Sequence, residues 1–277
     1  MLSLSQNAEC SPFFTHPFYV KLKDNVRKKK TCLCVGLDPD PDKIPPHFSR
    51  SIKGIQEFLY EVIKATQDLC VAYKPNAAFF EALGLEGIEL LLRIREWVPS
   101  SIPLIFDGKR GDIENTSKKQ ARFIFDYLKM DAVTLHPYMG SDSLIPFFEY
   151  HNHYSFVLTL TSNKGASDFE MITTRTHHPL YQSVADKCVE WASSFHNIGL
   201  VVGGTQSKLQ SIRKSVPRLL FLIPGIGEQG GTYHDALHEG ANEEGLTLIN
   251  VSRSLLYCGQ GKNFTKTIRK KIIEDYR

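Results

Sequence analysis

The chain predicts an α/β fold, a single-domain (β/α)8 barrel, on three observations. Eight short apolar runs recur along its 277 residues, each bounded by Gly, Pro or polar clusters. Segments of helical periodicity lie between them. Strands that alternate with helices pair in parallel through right-handed crossovers, and eight such units in about 250 residues is the arithmetic of a TIM barrel. A doubly wound open sheet is the competing architecture. It has fewer strands, and its first turn commonly carries a Gly-rich fingerprint. The first run here ends in Gly36-Leu37-Asp38-Pro39 and carries none.

In chain order, residues 1–30 read as an N-terminal arm and helix, the first 16 forming a peripheral arm. Residues 31–277 read as the barrel domain. The basic run Arg27-Lys28-Lys29-Lys30 fits a solvated helix end, where the macrodipole favours cations. The strand-like runs are 31–37, 69–73, 102–106, 132–135, 155–160, 199–202, 219–223 and 247–251. Helical periodicity is clearest over 52–66, 85–96, 113–129, 179–196 and 233–243. Segment 161–178 is long for a strand-to-helix loop and reads as a lid or a surface excursion. The lysines of 266–271 share an amphipathic pattern with Ile268, Ile272 and Ile273.

Composition narrows the functional classes. A hydrophobic content of 42% supports one large core. A net charge of +3 is too mild to argue for nucleic acid or a membrane as partner. No apolar run approaches the length of a membrane span, and the N-terminus lacks the pattern of a signal peptide. The six cysteines, at 10, 32, 34, 70, 188 and 258, have no zinc-knuckle or redox-motif spacing. Cys32, Cys34 and Cys70 read as buried free thiols, which favours a reducing, cytoplasmic setting.

Chemistry in such a barrel sits on the loops after the strand C-terminal ends. Residues 105–113, Ile-Phe-Asp-Gly-Lys-Arg-Gly-Asp-Ile, put four charges in six positions at such an end. On an extended backbone Asp107 and Lys109 share a face and Arg110 takes the other. A carboxylate beside an ammonium suits proton transfer and the handling of a developing charge. The segment alone also fits a structural ion pair followed by a helix cap at Asp112. The other strand ends add Asp38, Lys74-Pro75-Asn76, His136-Pro137-Tyr138, Thr161-Ser162-Asn163, Gly203-Gly204 and Ser252-Arg253-Ser254. His136 reads as a packing residue rather than a catalyst. After the seventh run, Gly225, Gly227, Gly230 and Gly231 let backbone N–H groups approach an anion. Arg253, after the eighth, offers a planar fork to phosphate oxygens. Together they point to a phosphorylated ligand.

The strand-end motifs, with the 106–113 segment, Pro-Gly-Ile-Gly-Glu-Gln-Gly-Gly at 224–231 and Arg253, resemble in order and kind the orotidine 5′-phosphate decarboxylases. The longer bacterial-type branch fits best, and the match covers 31–256. Two departures stand out: Glu114-Asn115 in place of small residues, and Ser252 where Gly often precedes the Arg. The resemblance implies decarboxylation of orotidine 5′-phosphate to uridine 5′-phosphate, the last step of de novo pyrimidine nucleotide synthesis, with no metal and no organic cofactor. It implies that Lys109 stabilises the ring carbanion and donates the replacing proton, and that Asp107 sits against the substrate carboxylate. Lys74 and Asp112 would complete the charge array and bind ribose hydroxyls. Asp38 would contact the ribose and Ser162 the pyrimidine. Ile113 and Thr116, around the Asp112 turn, would join the substrate-binding set, and Gln229 and Arg253 would hold the phosphate. It also implies a homodimer in which Asp112 reaches across the interface.

Three rivals remain at this stage. A metal-dependent sugar-phosphate decarboxylase or synthase would share Asp107, Lys109 and Asp112, but should offer a further carboxylate for magnesium. An aldolase would need a neutral lysine, which neighbouring carboxylates oppose. A catalytically silent nucleotide-binding protein would have little reason to keep all four charged positions.

Overall fold

Eight parallel strands form the sheet of the computed structural model, which describes residues 12–203, 206–225 and 232–277. They are β1 (Leu33–Leu37), β2 (Ala72–Pro75), β3 (Ile105–Arg110), β4 (Ala132–Leu135), β5 (Tyr154–Leu160), β6 (Ile198–Val202), β7 (Phe221–Pro224) and β8 (Leu248–Val251). Their order is β2-β1-β8-β7-β6-β5-β4-β3. The last junction, β2 to β3, closes through two isolated parallel bridges, Tyr73 with Leu104 and Asn76 with Asp107. Tyr73 N–H also donates to the Pro103 carbonyl at 3.0 Å. The closed ring is the barrel the alternating pattern predicts.

Period-two alternation sorts the strand side chains into two cores. Leu33, Val35 and Leu37 of β1 face the helices, while Cys34 faces the barrel interior with Ala72, Ile105, Ala132, Phe156 and Leu248. Both faces are buried, so the strands read as nearly continuous apolar runs. The helix Ile52–Thr66 shows the outer layer's logic. Ser51 caps it by accepting from Gly54 N–H. Ile55, Phe58, Leu59, Val62 and Ile63 then bury one stripe at helical spacing.

The N-terminal segment is not peripheral over its described part. The helices Pro12–Thr15 and Pro17–Lys29 lie across the strand N-termini. Phe14, Phe18, Leu22 and Val26, four residues apart, close the lower end of the interior core. The open bottom of a barrel exposes apolar side chains, and an amphipathic helix is the natural cover. Lys21 pairs with Asp131 at 2.6 Å, just before β4, and Lys23 pairs with Glu244, before β8. Lys29, read as part of a solvated run, donates to the Gln67 and Cys70 carbonyls at 2.7 Å each.

Other boundaries moved for identifiable reasons. Strands β2 and β3 extend C-terminally past their apolar runs, through Lys74-Pro75 and Asp107–Arg110, because polar residues continue the strands into the barrel mouth. Segment 113–129 is not one α-helix. It is the helix Glu114–Arg122 followed by a π-turn, Phe123–Tyr127, closed by Leu128 N–H on Phe123 O at 2.9 Å. In the C-terminal helix Phe264–Asp275, Ile268 and Ile272 are buried, but Ile273 faces solvent. Cys32, Cys34, Cys70 and Cys188 are buried free thiols.

Candidate active site

Strand β3 brings Asp107 and Lys109 together on one side, the pairing the alternation predicts, although its backbone is irregular there. Lys109 Nζ donates to Asp107 Oδ1 at 2.8 Å. Lys74 Nζ, from β2, donates to Asp107 Oδ2. The result is a Lys–Asp–Lys chain spanning two strands. Arg110 turns the other way, to Glu81 and over the Phe106 ring. Lys109 holds φ at 44°, a conformation uncommon outside glycine. The β3–β4 register shifts between Phe106 and Arg110, so the strand is irregular where it presents its charges.

Burial gives this chain its electrostatic character. The Lys74 and Asp107 side chains are 5% and 9% exposed, while Lys109 is 43% exposed. Burial alone pushes the Asp107 carboxyl up, but the two ammoniums and their hydrogen bonds outweigh it and hold the pKa well below the usual carboxylate range. Burial likewise pushes Lys74 down, and the Asp107 and Asp38 carboxylates outweigh that, leaving its pKa raised. Asp107 is therefore a carboxylate and Lys74 an ammonium across the neutral range. Burial raises Asp38, with Lys74 and a Ser252 hydrogen bond opposing the rise.

One cavity gathers most of the expected residues. Asp38, Lys74, Asp107, Ser162 and Arg253 all line it, and Lys109 joins them through Asp107. Gln229 lies outside the described residues. The structure does not bring the Asp112 turn to this cavity. Asp112 Oδ1 accepts its neighbour's N–H, from Ile113, at 2.8 Å. Ile113 is 56% exposed and Thr116 is exposed. The Asp112 backbone is fixed by Ser117, whose hydroxyl accepts its N–H at 3.0 Å and donates to its carbonyl at 2.6 Å. His136, expected to pack at the mouth, is exposed, and its Nδ1 accepts from Tyr138 N–H at 3.2 Å.

Two polar residues near the charges, Thr134 and Asn250, escaped the reading of the sequence, and a third, Ser252, was named there without a role. Thr134 donates its hydroxyl to Asp107 Oδ1 at 2.9 Å and accepts Lys109 N–H at 3.0 Å. It therefore fixes both the carboxylate and the lysine backbone. Asn250, on β8, lines the cavity, and its buried Oδ1 has no hydrogen-bond partner among the described residues. Both lie inside apolar runs, and the signal was their inward position in the alternation. Ser252 stood out as a strand-end residue and a departure, and its hydroxyl donates to Asp38 Oδ2. Gly36 makes room for it, since a Cβ at 36 would fall 2.6 Å from Ser252 Cβ.

The arrangement can hold an anion, hold a second negative group against a fixed carboxylate, and deliver a proton from Lys109. Both oxygens of Asp107 are engaged by ammoniums, which leaves it poorly disposed to bind a divalent cation. Fold and site together define a barrel lyase with a buried Lys–Asp–Lys charge array at the C-terminal ends of its strands. The chain belongs to the Orotidine 5′-phosphate decarboxylase / HUMPS family, whose pattern matches residues 31–266. It is 46% identical over 254 residues to orotidine 5′-phosphate decarboxylase of Dehalococcoides mccartyi (strain CBDB1), covering 90% of this chain and 92% of that one. The OMP decarboxylase structure from Leishmania donovani superposes with a TM-score of 0.80 at 36% identity, covering 93% of this chain and 97% of the other. The UMP synthase structure from Leishmania donovani gives 0.82 at 38% identity, covering 95% of this chain and 57% of the larger one.

Proposed function

We propose that this chain decarboxylates orotidine 5′-phosphate to uridine 5′-phosphate without a metal or organic cofactor. The Lys74–Asp107–Lys109 chain carries the proposal. Asp107 faces the substrate carboxylate, and the bond from that carboxylate to ring carbon six breaks. Carbon dioxide leaves, and the electron pair stays on carbon six. Lys109 Nζ stabilises that charge and transfers its proton to the carbon, then regains one from solvent. Fixed charges arranged before reaction are commonly a large catalytic term. Asp38 takes the ribose, Ser162 the pyrimidine, and Arg253 with Gln229 the phosphate.

The Asp112 turn, with Ile113 and Thr116, serves the site of a second copy in a homodimer. Its position off its own cavity, and the exposure of Ile113, Tyr138 and Met139, support this. Residues 31–277 form the catalytic domain, and the preceding helix plugs it from below. No described helix is long and apolar enough to cross a membrane. We place the enzyme in the cytoplasm, with neither nucleic acid nor membrane as partner.

The test is the absorbance change of orotidine 5′-phosphate after exhaustive chelation. Undiminished turnover is expected. Activity that is lost on chelation and restored by magnesium would overturn the reading in favour of the sugar-phosphate enzymes.

A further inference from the structure

Ser162 leaves the end of β5 and lines the cavity, yet nothing in a strand terminus fixes a serine there. Two features hold it. Gly203 N–H donates to the Leu160 carbonyl at 2.7 Å, locking the strand's last residue to the end of β6. Gly203 also lacks the Cβ that would press on Ser162, at 3.1 Å from its nitrogen and 3.3 Å from its Cβ. The second feature lies on the far side of the chain. Thr161 N–H donates to Glu170 Oε2 at 2.7 Å. The Thr161 hydroxyl lies 2.8 and 3.0 Å from the two Glu170 oxygens. Successive residues of an extended chain point to opposite faces. Gripping Thr161 on one face therefore directs Ser162 to the other.

Glu170 is itself anchored. Its carbonyl accepts Tyr181 N–H at 2.9 Å, at the start of the next helix. Met171 N–H reaches back to the Ala166 carbonyl at 3.2 Å, and Ala166 is buried. The excursion between β5 and the helix Leu180–Phe195 is thus folded on itself. We infer that Glu170 is a positioning residue, its carboxylate clamping Thr161 so that Ser162 is presented to the substrate. The inference rests on the assignment of Ser162 to the pyrimidine.

The clamp is a matter of hydrogen-bond geometry rather than charge. A glutamine keeps it: its amide oxygen accepts Thr161 N–H, and its NH₂ donates to the threonine hydroxyl. An alanine leaves Thr161 ungripped, with the Gly203–Leu160 bond alone holding the end of β5.

A double-mutant cycle on kcat/KM tests this. Ser162→Ala is expected to lose about tenfold, the scale of one hydrogen bond. Glu170→Ala is expected to lose a similar factor, and Glu170→Gln to stay within about threefold of the parent. The double variant Ser162→Ala/Glu170→Ala should fall little below Ser162→Ala alone, because Glu170 acts through Ser162. Losses that multiply, to about a hundredfold, would overturn the inference. So would a Glu170→Gln protein as impaired as Glu170→Ala. Full activity in Ser162→Ala would overturn both the pyrimidine assignment and the clamp, while full activity in Glu170→Ala beside an impaired Ser162→Ala would overturn the clamp alone. If Glu170→Ala does not fold, Thr161→Val removes only the hydroxyl bond and takes its place in the same cycle.

Discussion

Replacing Lys74 by methionine should damage stability and activity together, and a second change should separate them. Lys74→Met keeps much of the volume and removes the charge. Asp107 is then a buried carboxylate whose one remaining ion-pair partner among the described residues is the half-exposed Lys109, at 2.8 Å, with the Thr134 hydroxyl at 2.9 Å. Breaking a buried pair by removing one partner costs about 3–5 kcal/mol. The two surviving contacts place this case near the lower end, ~3 kcal/mol. The loss depends on Asp107 being ionised. In the parent, its depressed pKa contributes stability above the unfolded carboxyl value, and that contribution fades as pH falls below it. The gap between parent and variant should therefore shrink in acid. Adding Asp107→Asn removes the orphaned charge, so the double variant should recover to within ~1 kcal/mol of the parent. Activity should not recover: kcat/KM should be down by about 10²–10³ or more in both proteins, as for loss of one preorganised electrostatic contact. Urea unfolding and the orotidine 5′-phosphate absorbance assay read the two quantities. A Lys74→Met protein as stable as the parent, or a double variant no more stable than the single, would refute the reasoning.

Arg253→Ala should weaken orotidine 5′-phosphate far more than the free nucleoside, because the guanidinium can grip only a phosphate that is present; equal losses in a binding titration would make Arg253 structural. Lys109→Ala should be folded and inactive, and so should Asp112→Asn. Mixed in equal amounts and allowed to exchange, the two should regain about one quarter of parental sites if Asp112 acts across a two-fold interface, and none if it acts within its own subunit. Burial holds His16 down to about 4 against an ordinary 6.5, with its hydrogen bond to the His151 carbonyl opposing and the neighbouring His153 and His151 adding to the fall. A depressed histidine leaves stability intact above its unfolded pKa and drains it as pH falls toward the folded one. Acid unfolding between about pH 7 and 4.5 should lose ~2.5 kcal/mol from this group, and His16→Gln should flatten that slope.

The strand count was legible because both faces of a parallel barrel strand are buried, which leaves eight apolar runs to read. The ends of β2 and β3 were less legible because the chemistry sits there. Lys74 and Asp107–Arg110 break the apolar signal while the backbone continues extended. The charged residues could be read for the same reason, as polar groups immediately after hydrophobic runs. Thr134 and Asn250 could not, since a single polar residue on the inward face of an apolar run looks like tolerated variation. The helical plug also hid in plain composition. Its apolar positions at Phe14, Phe18, Leu22 and Val26 carry helical spacing, but only the open barrel end below the strands explains what they cover.

The closure of the ring has a consequence for how the enzyme responds to heat. Strands β2 and β3 meet through isolated bridges rather than a continuous ladder, and one bridge joins Asn76 to Asp107. Lys74 and Asp107 sit on opposite banks of that seam, so the ion pair at the centre of the charge array is also a rivet in the barrel wall. Any breathing of the seam lengthens a contact whose energy varies as the reciprocal of distance in a poorly screened interior. A fluctuation too small to unfold the protein thus detunes the field that the substrate meets. Warming should erode turnover before it erodes secondary structure, and a ligand bound to residues of both strands should stitch the seam shut.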